Sequence, residues 1–138
     1  MTSDITAPAN EVSSVATADA PAAIGPYSQG VSAGRLVFVS GQLPIDPATG
    51  QIPGDIEAQA AQSIRNIAAV LTAAGGTLHD VVKTTVLMAD LAQFDVVNMV
   101  YGTFFDGPVL PARATYQVAR LPKDAAVEIE AIAVLSQN

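Results

Sequence analysis

Arg113 and Glu128 stand at ends of two successive strand-like segments that no single chain can easily bring together. Arg113 opens the run Arg113–Arg120, and Glu128 opens the run Val127–Leu135. Between them lies Leu121-Pro122-Lys123-Asp124-Ala125, with Pro, Lys and Asp in turn-favouring order. Arg113 is thus at the end of its strand far from the turn, and Glu128 at the near end of its own. At ~3.3 Å per residue the two side chains are on the order of 15–20 Å apart within one chain. A guanidinium is permanently charged and presents a planar fork of N–H donors that fits a carboxylate two bonds at a time. The carboxylates in strand-like sequence nearby are Glu128 and Glu130, which share a strand face. Either these charges serve separate purposes, or a second subunit brings them together.

Composition favours the second subunit. Half of the 138 residues are apolar and only 14% are charged, against about 25% in ordinary globular domains. A domain this apolar is expected to hide surface in a subunit interface. The length predicts one domain with a core that needs neither disulfide nor metal. Cysteine is absent, which removes thiol chemistry and Cys-based metal sites and fits a cytoplasmic protein. The single histidine, His79, lies in a turn-like stretch and reads as a solvated surface residue, so no metal site is expected. A net charge of −7 argues against nucleic acid and anionic membranes as partners. No run approaches the ~18 apolar residues of a membrane span.

Residues 1–11 are rich in Ser, Thr, Ala, Pro and Asp without periodicity, and read as a disordered tail before one domain over 12–138. Val12–Thr17 reads as a weak edge strand, and the Pro- and Gly-punctuated stretch from Ala20 to Gly30 as a loop. Arg35–Ser40 reads as a buried strand ended by Gly41. Asp55 is a good N-cap for a helix reaching about Ala74, with Gly75 as its stop and Ala60, Ile64, Ile67 and Leu71 as its buried stripe. Val82–Met88 is a strand. Gln93–Phe105 is a second helix, with Phe94, Val97, Tyr101 and Phe104 on one face. The order strand, helix, strand, helix, strand, strand predicts an α+β sheet with its helices on one face. The other face is left for another subunit.

Four segments resemble one family closely. They are Pro21-Ala22-Ala23-Ile24-Gly25-Pro26-Tyr27-Ser28-Gln29-Gly30, then Ser40-Gly41-Gln42-Leu43-Pro44, then Pro111-Ala112-Arg113, and finally Ala119 to Asp124 continuing into Glu128-Ile129-Glu130-Ala131. From about Val15 to Leu135 the chain resembles the Rid/YjgF family, the reactive-intermediate (enamine/imine) deaminases. The resemblance implies a chorismate-mutase-like mixed sheet, a homotrimer and three sites between subunits. It assigns Arg113 to the substrate carboxylate, and Tyr27, Ser40, Gly41 and Glu128 to the neighbouring subunit. Asn98 would help line the site. Thr115 stands where relatives often carry cysteine, a position used partly through its backbone. Residue patterns alone leave Glu128 and Glu130 equivalent; the motif alignment selects Glu128.

The chemistry this implies is hydrolysis of 2-imino acids and their enamine tautomers, such as 2-aminoacrylate, to a 2-oxo acid and ammonia. Such imines already hydrolyse in water, so positioning and one acid/base group suffice and no cofactor is expected. Two other readings share the sequence. A non-catalytic 2-oxo-acid binder would keep Arg113 without needing Glu128 for rate. A ribonuclease or translation inhibitor would need the basic surface that this chain lacks.

Overall fold

Asp55 caps a helix, as its sequence context predicts. The computed structural model describes residues 11–136; residues 1–10 of the expected tail lie outside the described residues. The Asp55 carboxylate accepts from the Ala58 N–H at 2.7 Å, and α1 runs Ile56–Ala74. It stops at Gly75, whose φ of 93° is the left-handed conformation that glycine adopts without strain. Ala60, Ile64, Ile67 and Leu71 are fully buried along one stripe. The second helix, α2 (Phe94–Phe104), follows a 3-10 turn at Leu91–Gln93 that Asp90 caps. Its Val97 and Tyr101 face the core.

Six strands form one sheet: β1 (Val12–Val15), β2 (Gly30–Ala33), β3 (Leu36–Gln42), β4 (Val81–Met88), β5 (Ala112–Gln117) and β6 (Val127–Val134). Their spatial order is β1-β2-β3-β6-β4-β5. The β4–β5 pair is parallel and the others are antiparallel. Both helices cover one face, where Val37, Val39, Val86, Met88, Ile129 and Ala131 meet Ile64, Ile67 and Val97. The α+β architecture is the expected one.

Two expectations need correction. The first is β2, which is missing from the sequence reading because Gly30-Val31-Ser32-Ala33 is too short and small to show a period. The second is β3, expected to be buried and to end at Gly41. It runs to Gln42 past an irregularity in its pairing with β6, and its Leu36 and Phe38 are 39% and 42% exposed. A continuous apolar run marks a strand covered on both faces, but here one face has no cover within the chain. β5 and β6, the strands on either side of the Leu121–Ala125 turn, are not neighbours in the sheet. The turn at Pro122–Asp124 does form, with left-handed φ at Lys123 and Asp124. However, β6 is flanked by β3 and β4, so β5 is left on the outer edge of β4.

This topology separates the two charged residues more firmly than strand length does. Arg113 is opposite Thr84, which is fully buried and therefore faces the helices. Glu128 is opposite Leu87, which points to the other face. Directly paired residues share a face, so Arg113 and Glu128 project from opposite sides of the sheet. They are also two strand spacings apart, about 10 Å. Within one chain, the sheet itself stands between them.

Candidate functional site

On the open face, four of the expected residues gather around one cleft of about 430 Å³: Tyr27, Ser40, Gly41 and Glu128. Ile24, Leu43 and Pro122 complete its wall, and the exposed Glu130 borders it. The loop carrying Tyr27 is fixed by buried Gln29. Its side-chain oxygen accepts from the Thr17 N–H at 2.7 Å, and its amide donates to the carbonyls of Thr17, Ala20 and Pro21 at 3.0, 3.2 and 2.8 Å. One side chain thus satisfies four backbone groups of a segment with no regular structure of its own. Tyr27 is 47% exposed, and its hydroxyl accepts from the Ile24 N–H at 3.2 Å.

β3 carries Ser40 and Gly41 into the cleft. The Ser40 hydroxyl donates to the Ser28 carbonyl at 2.6 Å. With its proton committed there, Ser40 Oγ is left as an acceptor toward the cleft. Gly41 is required for space: a Cβ there would overlap the Glu128 carboxylate and come within 3.0 Å of its Cδ. Any larger residue would displace that carboxylate. Burial pushes the Glu128 carboxyl above the ordinary glutamate range, and the charge of Glu130 adds to the effect.

The remaining expected residues lie on the helix side, at the β5 edge. The Arg113 guanidinium sits 4.8 Å from the ring centroid of Tyr101 and 5.5 Å from that of Phe94. The ion pairs among the described residues are His79–Asp106 and Arg120–Asp124, so the charge of Arg113 meets ring faces and no carboxylate. Tyr101 is held in turn by Thr84, hydroxyl to hydroxyl at 2.7 Å. Burial pushes the Tyr101 hydroxyl up, against the opposing effects of the Thr84 bond and the Arg113 charge. Asn98 falls between Phe94 and Tyr101 on the same helical stripe. Thr115 follows Arg113 on the same strand face, opposite Val86, and its hydroxyl is buried without a partner.

The seven candidates therefore form two groups: Tyr27, Ser40, Gly41 and Glu128 on one face, and Arg113, Asn98 and Thr115 on the other. One group holds a carboxylate without a cation; the other holds a cation without a carboxylate. His79 is exposed and 3.6 Å from Asp106, away from both groups. Among the described residues, no cluster of three His, Asp or Glu could hold a metal. Sequence reasoning missed the roles of Gln29, Thr84, Phe94 and Tyr101. Phe94 and Tyr101 read as ordinary core on a helical stripe, and only strand register reveals that Arg113 lies against them.

Comparison with known proteins gives the family of the chain. The family model described as Endoribonuclease L-PSP matches residues 17–135. The chain is 52% identical to the 2-iminobutanoate/2-iminopropanoate deaminase of Escherichia coli K12 over 122 residues, covering 87% of this chain and 95% of that protein. The crystal structure of the Escherichia coli YjgF gene product superposes with a TM-score of 0.86 at 52% identity, over 88% of this chain and 98% of that one. Escherichia coli TdcF with bound serine does so at 0.87 and 50%, over 90% and 99%. With a family match across most of its length and relatives above half identity, this chain belongs to the RidA/YjgF family.

Proposed function

We propose that this chain is a 2-imino acid deaminase, hydrolysing 2-iminobutanoate, 2-iminopropanoate and the enamine 2-aminoacrylate to 2-oxo acids and ammonia. The observation that carries the reading is the division of the site into two incomplete halves on opposite faces of one sheet. A homotrimer completes it, with Arg113, Asn98 and Thr115 of one subunit facing Tyr27, Ser40, Gly41 and Glu128 of the next. Support for that assembly comes from the apolar composition and from Leu36 and Phe38 exposed on an uncovered sheet face. A short-lived imine does not travel far, so the enzyme belongs with its imine source, in the cytoplasm.

In this arrangement Arg113 grips the substrate carboxylate through two charge-assisted N–H bonds. Ser40 Oγ accepts from the iminium N–H, and Tyr27 walls the cleft. An enamine first takes a proton from solvent water at its terminal carbon to become the iminium. Glu128 then removes a proton from water as the oxygen bonds to the C=N carbon, giving a carbinolamine. Glu128 returns that proton to nitrogen, and the C–N bond breaks as the hydroxyl oxygen forms the C=O bond. The hydroxyl proton passes to the Glu128 carboxylate and on to solvent, and ammonia and the 2-oxo acid leave. A carboxylate with a raised proton affinity suits both halves of this exchange. Side chains, water and substrate account for every step.

The test is ammonia release from 2-aminoacrylate generated in situ by a serine or threonine dehydratase that uses pyridoxal phosphate. Release should accelerate with added protein, and light scattering should report about three chains per particle. A stable, active monomer would overturn the shared site. TdcF with bound serine keeps a second reading in view, a binding protein for small amino-acid-like carboxylates, which the same assay separates by its lack of turnover. The description of the family model raises a ribonuclease as well. A chain of net charge −7 is poorly suited to a polyanion, and salt-sensitive RNA binding should be absent.

The pH profile follows from the two causes acting on Glu128. The base works only when ionised, so kcat/KM should fall as pH drops through its pKa. That limb should lie above the ordinary glutamate value of 4.5. Glu130→Gln removes the second cause, so the limb should move down in pH while kcat near neutrality changes little. An acid limb that is unmoved in Glu130→Gln would show that the Glu130 charge does not act on the base.

A further inference from the structure

Arg113 is a half-buried arginine on an edge strand whose charge has no carboxylate partner among the described residues, yet its position is defined. What defines it is a socket of two aromatic rings. Phe94 and Tyr101 stand two turns apart on one stripe of α2, and the guanidinium lies 5.5 Å and 4.8 Å from their centroids. Tyr101 is not free to swing. Its hydroxyl is bonded at 2.7 Å to that of fully buried Thr84, the residue directly opposite Arg113 in the β4–β5 pair. Strand register, buried hydroxyl pair and ring face therefore form a closed loop of contacts around one cation.

We propose that Tyr101, locked by Thr84, and Phe94 are positioning residues that hold the Arg113 fork ready for the substrate carboxylate. This rests on the carboxylate-clamp reading above. A ring face attracts a guanidinium by charge and leaves its N–H donors unspent, whereas a protein carboxylate in the same place would occupy two of them. The socket thus removes side-chain freedom that a ligand would otherwise have to remove, without competing for the donors the ligand needs. The buried Tyr101 hydroxyl stays neutral, so the ring adds no competing charge beside the clamp.

The test is an NMR titration of the purified full-length protein with 2-oxobutanoate, a product of the proposed reaction, which reads weak as well as tight binding. Tyr101→Leu and Phe94→Leu should each raise Kd about fivefold, the range of a partly desolvated cation–π contact. Tyr101→Phe, which keeps the ring but loses the bond to Thr84, should raise Kd by less than Tyr101→Leu does, the remaining rise being the share of the lock. Phe94 is only half-buried, so its variant reports even if Tyr101→Leu folds poorly. In an Arg113→Ala background the leucine substitutions should add nothing further, because the socket acts only through the guanidinium. Unchanged affinity in both leucine variants, with Arg113→Ala impaired, overturns the socket and leaves the clamp standing. Losses that persist in full in the Arg113→Ala background also overturn it, since they mark a packing defect. Arg113→Ala binding as tightly as the parent removes the clamp, and the socket's purpose with it.

Discussion

Arg113→Ala should lower kcat/KM for 2-aminoacrylate by about a hundredfold or more. In the proposed site it removes two charge-assisted bonds to the substrate carboxylate, together worth a few kcal/mol, and each 1.4 kcal/mol is about tenfold in rate. The fold should tolerate the change, because Arg113 lies on an edge strand and makes no ion pair among the described residues. Arg113→Lys should rescue little. An ammonium on a flexible stem supplies charge but neither the fork nor the planar group that sits against Tyr101 and Phe94. Steady-state kinetics with dehydratase-generated substrate checks both variants. Near-normal turnover in either one would make Arg113 a structural residue.

Glu128→Gln should have the second large effect, and its signature is different. The side chain keeps its shape against Gly41 but can no longer take a proton from water. The expected result is a kcat lowered by about a hundredfold or more, with product affinity nearly unchanged because Arg113 still holds the carboxylate. A non-catalytic binder would show no such division. Because the two residues come from different subunits in the proposed trimer, two inactive variants should complement. A trimer containing both Arg113→Ala and Glu128→Gln chains retains at least one cleft with a native Arg113 and a native Glu128. Each mixed trimer should approach about a third of the parent's activity, for one restored cleft in a closed ring of three, and a random equal mixture about a quarter. Verified mixed trimers without activity would place both residues in one cleft of one chain, against the geometry of the sheet.

Much of the scaffold was legible because its signals are local. Asp55 as N-cap, Gly75 as stop and the Ala60–Leu71 stripe each depend on residues within a few turns, where backbone hydrogen bonds and side-chain spacing follow directly from sequence. The turn at Pro122–Asp124 was legible for the same reason. What it connects was not. A turn sets only the direction of the chain, whereas β6 chooses its neighbours by packing against β3 and β4, whose residues lie far away in sequence. The short strand β2 escaped notice because small residues carry no period. The surface of β3 was misread because an apolar run looks the same whether its second face is covered by this chain or left open.

The site divides along the same line. By itself, the sequence singled out one arginine and two glutamates as candidates, contained no thiol, and made it hard for one chain to join the two charges. It reached the last point from strand length alone. The tertiary structure decided the matter by a different cause: strand pairing puts Arg113 on the face with the helices and Glu128 on the face without them. Tertiary structure also distinguished the two glutamates by surroundings, since Glu128 is packed on Gly41 and half-buried while Glu130 stays exposed. It alone turned Phe94 and Tyr101 from core residues into the socket of a cation. Which residues share a strand face follows from a period of two, readable in any sequence. Which strands lie side by side depends on contacts summed over the whole core, and no local pattern carries that information.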